Sequence, residues 1–166
     1  MRKIVIFIFM TILLICFINK KKSILIPDLA IRIRVIAGSN DVSDQALKST
    51  IKNEVTSILY KKLEGIDSYK KANSIIENAM PEIKNLLNNY TTNYELTYGD
   101  NYFPEKDYKG IKYDAGYYRS LLIKLGEGKG NNFWCVLFPP LCMIDESKIN
   151  NVSYGFYVSE LLKKIK

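Results

Sequence analysis

The first pattern along the chain is an apolar run. Residues 4–18 are hydrophobic except for Thr11, and basic residues flank them on both sides. A run of fifteen residues is typical of a signal-peptide core, whereas a helix needs about 20 residues to cross roughly 30 Å of hydrocarbon. The run also lacks the polar stripe of an amphipathic core helix. We therefore predict a signal peptide or membrane-anchoring helix over residues 1–22 and a single extracytoplasmic domain over residues 23–166.

The sequence leaves open whether this N-terminal segment is cleaved. No small-x-small pair typical of a cleavage site stands near its end. Cys16 follows the apolar run as the lipid-accepting cysteine of a lipoprotein would, but residues 13–15 are bulky where the processing enzyme requires small side chains. Lipid attachment is therefore disfavoured, and both a released and a tethered domain are compatible with the sequence.

The next pattern is an alternation. Ile31, Ile33 and Val35 alternate with Arg32 and Arg34. A period of two predicts a β-strand, and a charged residue at every second position predicts that one face of this strand meets solvent.

Two helices are predicted after this strand. The first begins near the capping candidates Ser43 and Asp44 and ends at Gly65, and the second begins near residues 67–68. Their apolar stripes are Leu47, Ile51, Val55, Ile58 and Leu59 in the first, and Ala72, Ile75, Ile76, Ala79, Ile83, Leu86 and Leu87 in the second. Because proline suits a first helical turn and disrupts a helix interior, we expect Pro81 to interrupt or restart the second helix.

The composition then changes to tyrosine, glycine and alternating residues, which predicts strands. The expected strands are 94–98, 117–125 and 133–138, with turns near 102–104, 110 and 115–116 and a short helix at 157–166. A strand, a helical block and a run of strands define an α+β fold. We expect a mainly antiparallel sheet with helices on one face.

The net charge of +7 suggests a nucleic-acid partner, but the location of the charge argues against one. Residues 1–22 hold five of the 24 basic residues and none of the 17 acidic ones, so the domain keeps 19 basic and 17 acidic residues. It has no basic run longer than a doublet. No surface that follows a phosphate backbone is predicted.

The chain contains no histidine, which excludes a Ser-His-Asp triad, a Cys-His pair and a histidine-ligated metal site. We predict no cofactor. An enzyme would depend on carboxylates, and Asp145 and Glu146 form the only adjacent carboxylate pair. The alternative function is therefore an extracytoplasmic cell-wall hydrolase that uses Asp145, Glu146 or Glu127.

Two cysteines, Cys135 and Cys142, belong to the predicted domain. An even pair in an exported domain indicates a disulfide bond. Seven residues of straight strand would separate their α-carbons by more than about 20 Å, whereas a disulfide needs about 5.5 Å. The chain must therefore fold back if they pair, and Pro139 and Pro140 supply a rigid bend in which one peptide bond could be cis.

The densest feature is the stretch from residue 126 to residue 142, which combines a glycine loop with aromatic residues and prolines. Its spacing differs from that of a Walker loop, so no nucleotide site is predicted. We also expect no small-molecule substrate. One interpretation is a disulfide-linked hairpin that stabilises the domain. The other is a protein-binding site. The candidate contact residues are Gly126, Glu127, Gly128, Lys129, Gly130, Trp134, Phe138, Pro139 and Pro140.

This stretch resembles the stage II sporulation protein R family of endospore-forming bacteria. The matching motifs are residues 126–130, Asn132 and residues 134–142, together with 33–37, 39–40, 44–48, 102–104, 115–118 and Leu121. The likeness covers residues 29–143 in order. Phe133 and Met143 depart from it, because the family usually has a tryptophan and an aromatic residue there.

The resemblance implies a signalling protein without enzymatic activity. Such a protein is made in the forespore and exported into the space between forespore and mother cell. There it is expected to activate a membrane-embedded aspartic protease of the mother-cell membrane, which processes the precursor of a mother-cell sigma factor. The expected partners are that protease and the membrane reached by the N-terminal segment.

Overall fold

The computed structural model describes residues 24–25, 30–108 and 111–140. The predicted N-terminal segment, the turn at 110, Cys142, the Asp145–Glu146 pair and the C-terminal helix lie outside these residues. The described elements are β1 (Ile24–Leu25), β2 (Ile31–Ile36), α1 (Val42–Leu63), α2 (Tyr69–Asn88), β3 (Tyr94–Phe103), β4 (Lys106–Tyr108), β5 (Ile111–Tyr113), β6 (Gly116–Leu125) and β7 (Asn132–Phe138). The fold is α+β, as predicted. No helix within the described ranges is long and apolar enough to span a bilayer.

The main sheet has four strands in the order β3-β6-β2-β7. Its two outer pairs are antiparallel, but the central pair of β2 and β6 is parallel. The sheet is therefore mixed. The expectation of a mainly antiparallel sheet holds for the two outer pairs of strands but not for the central pair. The alternation along a strand reveals which residues share a face but does not reveal the direction of the neighbouring strand.

A small second sheet has the order β1-β5-β4. Its strands are two or three residues long. Such strands are shorter than the windows in which alternation can be recognised, so the sequence did not predict them.

Helix α1 buries Ile51, Val55 and Leu59 of the predicted stripe. Leu47 packs against the core while partly exposed, and Ile58 is partly exposed and lies outside the core cluster. The N-cap of α1 is Asp41 rather than Ser43 or Asp44, which is a correction. The helix begins earlier because its first hydrogen bond runs from the Gln45 amide to the Asp41 carbonyl, at 3.0 Å. In the preceding turn the Ser39 hydroxyl accepts a hydrogen bond from the Asp41 amide at 3.0 Å. The helix ends near the predicted Gly65, whose φ of 72° is left-handed.

Helix α2 is continuous from Tyr69 to Asn88, so the predicted interruption at Pro81 is wrong. An interior proline costs a helix about 3 kcal/mol, because it removes one backbone donor and crowds the preceding turn. Ala79 and Ile83 lie on either side of Pro81, and both are buried. Tertiary packing of this stripe therefore holds the helix together across the proline.

Strand β3 continues to Phe103, beyond the predicted end at residue 98. Its pairing with β6 is unbroken from Tyr94 opposite Leu125 to Phe103 opposite Gly116. The turn expected at residues 102–104 therefore begins later. Phe103 is buried instead of lying in an exposed turn.

Both helices pack on one face of the main sheet. The strand residues on this face include Ile31, Ile33 and Val35 of β2, and they form one apolar cluster with the buried stripes of α1 and α2. This arrangement confirms the predicted layers, because a sheet face and two helix stripes bury each other.

The opposite face of β2 corrects the expectation of a solvent-exposed side. Arg32 is only 1% exposed. Its guanidinium lies 3.3 Å from the centroid of the Tyr118 ring and 5.6 Å from that of Phe103. Arg34 lies 5.2 Å from the Trp134 centroid, and burial lowers the pKa of its guanidinium. The aromatic rings of Phe103, Tyr118 and Trp134 cover this face of β2, so its arginines pack on aromatic rings.

We predict that Arg32→Ala lowers the free energy of unfolding by about 2–4 kcal/mol, because it removes a large buried side chain and its ring contacts. Chemical denaturation with urea measures this change. The matched variant Arg34→Ala should cost less, since Arg34 is only half-buried. A loss at Arg32 within about 0.5 kcal/mol, as for an ordinary surface position, would contradict this description of β2.

Candidate functional site

The glycine loop, residues 126–131, connects β6 to β7. Gly126 and Gly128 have φ values of 51° and 66°, which are left-handed and favour glycine. The Gly126 amide donates to the Asn93 carbonyl at 2.9 Å, and the Gly128 amide donates to the Leu125 carbonyl at 3.0 Å. The glycines therefore form a closed turn bonded to its neighbours.

The glycine loop also packs on the turn between β2 and α1. The Lys129 amide donates to the Gly38 carbonyl at 3.0 Å, and the Gly130 amide donates to the Ala37 carbonyl at 2.9 Å. A Cβ on Gly130 would lie 2.1 Å from the Ser39 carbonyl oxygen. The two loops meet because β2 and β6 are parallel, so that their carboxyl ends lie at the same edge of the sheet.

Polar side chains tie the base of the glycine loop to α1. The Asn131 amide donates to Asn40 Oδ1 at 2.8 Å, and Lys48 Nζ donates to the Asn131 carbonyl at 3.1 Å. Gln45 Nε2 donates to the Ser39 carbonyl at 2.8 Å. The sequence showed that Asn40, Gln45 and Lys48 fit the family pattern but assigned none of them to the site. Their role depends on contacts between segments about 85 residues apart along the chain.

Glu127 and Lys129 form the exposed tip of the glycine loop. Their side chains are 73% and 77% exposed and form an ion pair at 2.6 Å. Beside the tip lies a cleft of about 490 Å³, bordered by the β2–α1 turn, the α2–β3 connection and the loop itself. An exposed ion pair contributes little to stability, so both groups can exchange their pairing for contacts with a partner at low cost.

The remaining candidates lie along β7 and at its far end. Trp134 is half-buried, with Arg34 at 5.2 Å and Lys106 Nζ at 4.9 Å from its ring centroid, and it meets Phe103 edge-on. Phe138 is 1% exposed and belongs to the core. Pro139 is buried and Pro140 half-buried. These prolines form a turn, and the Phe138–Pro139 peptide bond is cis, as the predicted bend allowed.

The structure thus divides the predicted site into two groups. The glycine loop lies at one end of β7, and the prolines follow its other end. Seven residues of strand extend about 20 Å, so one small contact cannot cover both groups. The exposed groups are those of the glycine loop.

Cys135 lies on β7 opposite Ile33 and packs against the core. It is disulfide-bonded in the structure. Cys142 lies outside the described residues, so the pairing of these two cysteines stays a prediction.

Two features of the described ranges concern the hydrolase alternative. They contain no cluster of three or more His, Cys, Asp or Glu side chains that could hold a metal ion. Of the three carboxylates proposed for a hydrolase, only Glu127 is described, and it pairs with Lys129. Asp145 and Glu146 lie outside the described residues.

The structure is a small α+β domain. Hydrogen bonds to neighbouring segments hold the backbone of its exposed glycine loop. The family model for stage II sporulation protein R matches residues 27–148. A relative, the stage II sporulation protein R of Bacillus subtilis (strain 168), is 36% identical over 135 residues, which cover 78% of this chain and 60% of that protein. No solved structure matches the chain. The chain therefore belongs to the stage II sporulation protein R family, and the glycine loop lies within the matched segment.

We predict that Gly130→Ala loosens the glycine loop and lowers the free energy of unfolding by about 1–3 kcal/mol, because the new methyl group overlaps the Ser39 carbonyl. Thermal or chemical denaturation measures the change. Gly99→Ala is the matched control, because a Cβ there meets no atom within 4 Å. If the two variants were equally stable, the close contact between Gly130 and the Ser39 carbonyl would not require glycine.

Proposed function

We propose that this protein is an exported signal of sporulation that activates a membrane-embedded aspartic protease in the mother-cell membrane. The protease then processes the precursor of a mother-cell sigma factor. The signal acts in the space between forespore and mother cell, where the N-terminal segment delivers it as a tethered or released domain. The observation that carries this proposal is membership of the stage II sporulation protein R family over residues 27–148.

The glycine loop is the proposed contact with the protease. Its tip presents two opposite charges on a backbone that is hydrogen-bonded to three neighbouring segments, namely the end of β6, the β2–α1 turn and Asn93. A loop that is already ordered loses little conformational freedom when it binds. Binding energy is then available to favour an active arrangement of the partner over an inactive one.

A ligand role also agrees with the composition. Histidine is absent from the whole chain, and histidine is the most frequent general acid or base in catalysis. A protein that acts by binding requires no such group. This reasoning supports a signalling role over enzymes that depend on histidine, whereas a hydrolase that uses carboxylates alone is judged by its carboxylates.

The site of action can be tested by trapping the protein before export. In an endospore-forming host that lacks its own family member, the full chain should restore processing of the sigma-factor precursor. A version without residues 1–22, which stays in the forespore cytoplasm, should not restore it, because it cannot reach a protease in another membrane. Immunoblotting of precursor and product measures the result, and blotting of the protein itself controls for its abundance. Full rescue by the trapped version would refute the proposed site of action.

The contact surface can be tested at the tip of the loop. The double variant Glu127→Gln/Lys129→Met should reduce precursor processing about tenfold, the effect of losing one significant contact at an interface. Its thermal midpoint should stay near that of the native chain, because the ion pair is exposed. Lys62→Met/Glu82→Gln removes a second exposed ion pair, 2.9 Å long and located on the helices, and serves as the matched control. If both double variants signalled equally well, the loop tip would not be the contact.

A further inference from the structure

Asn131 lies at the base of the glycine loop, immediately before β7. Side chains from the β2–α1 region bind both polar groups of its backbone. Asn40 Oδ1 accepts from the amide at 2.8 Å, and Lys48 Nζ donates to the carbonyl at 3.1 Å. The backbone contact to the same carbonyl, from the Ala37 amide, is longer at 3.5 Å. The position of Asn131 therefore depends on two side chains as well as on the strand ladder.

Lys48 is itself fixed in place. Its ammonium group also donates to Gln45 Oε1 at 2.6 Å, and Gln45 lies three residues earlier on the same helix face. Gln45 in turn donates to the Ser39 carbonyl at 2.8 Å. The acceptors of the Lys48 ammonium are both neutral oxygens, so its charge strengthens hydrogen bonds to the loop instead of forming an ion pair.

We propose that Lys48 is a positioning residue, which clamps the Asn131 carbonyl so that the Glu127–Lys129 tip is presented to a protein partner in one arrangement. This inference rests on the proposed function for the identity of the partner. The physical reason is pre-organisation. Without the clamp the loop samples several arrangements, and the competent one is populated only in part, which weakens apparent affinity.

Lys48 is only half-buried and is not among the residues of the buried core. Its removal should therefore loosen the glycine loop without unfolding the domain. This separation between local and global effects makes its role testable, because a residue with a purely structural role would change overall stability and loop protection together.

Hydrogen exchange of the full chain in detergent micelles, followed by mass spectrometry, measures the loop directly. In Lys48→Met, peptides that cover residues 126–131 should exchange about tenfold faster, the expected effect of losing one charge-assisted hydrogen bond. Peptides from the buried stripe of α1 should exchange as in the native chain. Lys48→Arg keeps a cationic donor and should restore protection. Lys61→Met makes the same substitution at an exposed position of the same helix and should leave the loop unchanged.

Processing of the sigma-factor precursor supplies the second readout. Lys48→Met should reduce it about tenfold, in proportion to the loss of the competent loop arrangement, and Lys48→Arg should recover most of it. Asn40→Ala, which removes the acceptor of the Asn131 amide, should act in the same direction. It provides an independent test if Lys48→Met fails to fold.

Two results would overturn the inference. If neither Lys48→Met nor Asn40→Ala speeds exchange of the loop, the clamp does not exist. If the loop exchanges faster and processing stays at the native level, the clamp has no part in recognition. In both cases the export and loop-tip variants would still test the proposed function independently. Failure of this inference can therefore be distinguished from failure of the proposed function.

Discussion

The position of β2 between β6 and β7 is the constraint on which the rest of this structure depends. The parallel pairing of β2 with β6 places the carboxyl ends of both strands at one edge of the sheet. The turn that leaves β2 and the glycine loop that leaves β6 must therefore meet there. Their contacts, from the Gly130 amide to the Lys48 ammonium, follow from this single pairing. In an all-antiparallel sheet these two loops would point to opposite ends.

The two faces of β2 are covered by different partners. One face carries aliphatic residues that pack against both helices. The other carries Arg32, which is buried on the ring of Tyr118, and Arg34, which is half-buried beside the ring of Trp134. Aromatic faces compensate part of the cost of removing a guanidinium from water, since their electron-rich surface attracts a cation. The long methylene stems of the arginines fill space as aliphatic side chains do.

The glycine loop combines a fixed backbone with side chains that contribute little to the fold. Gly126 and Gly128 make the turn possible, Gly130 permits close approach to Ser39, and Asn131 is held from α1. At the tip, by contrast, the charges of Glu127 and Lys129 are exposed. A rigid support with exposed charges suits recognition of another protein better than bond-breaking chemistry. This division of roles agrees with the signalling function that we propose for this member of the stage II sporulation protein R family.

The sequence by itself determined the α+β class, most of the buried stripes of both helices, the three long strands that follow them and, through the motif at residues 126–142, the family. These features depend on local periodicity and on short motifs, which a chain carries without reference to its neighbours. Only the tertiary structure decided that Arg32 is buried, that α2 continues through Pro81, that β3 extends to Phe103 and that Gly130 and Lys48 hold the glycine loop. Each of these depends on which distant segment lies alongside, and the pairing of β2 with β6 and β7 brings together residues as far apart as Ile31 and Phe138. The alternation of isoleucine and arginine correctly predicts that β2 is a strand. Whether its polar face meets water or aromatic rings depends on the neighbouring strands of the folded sheet.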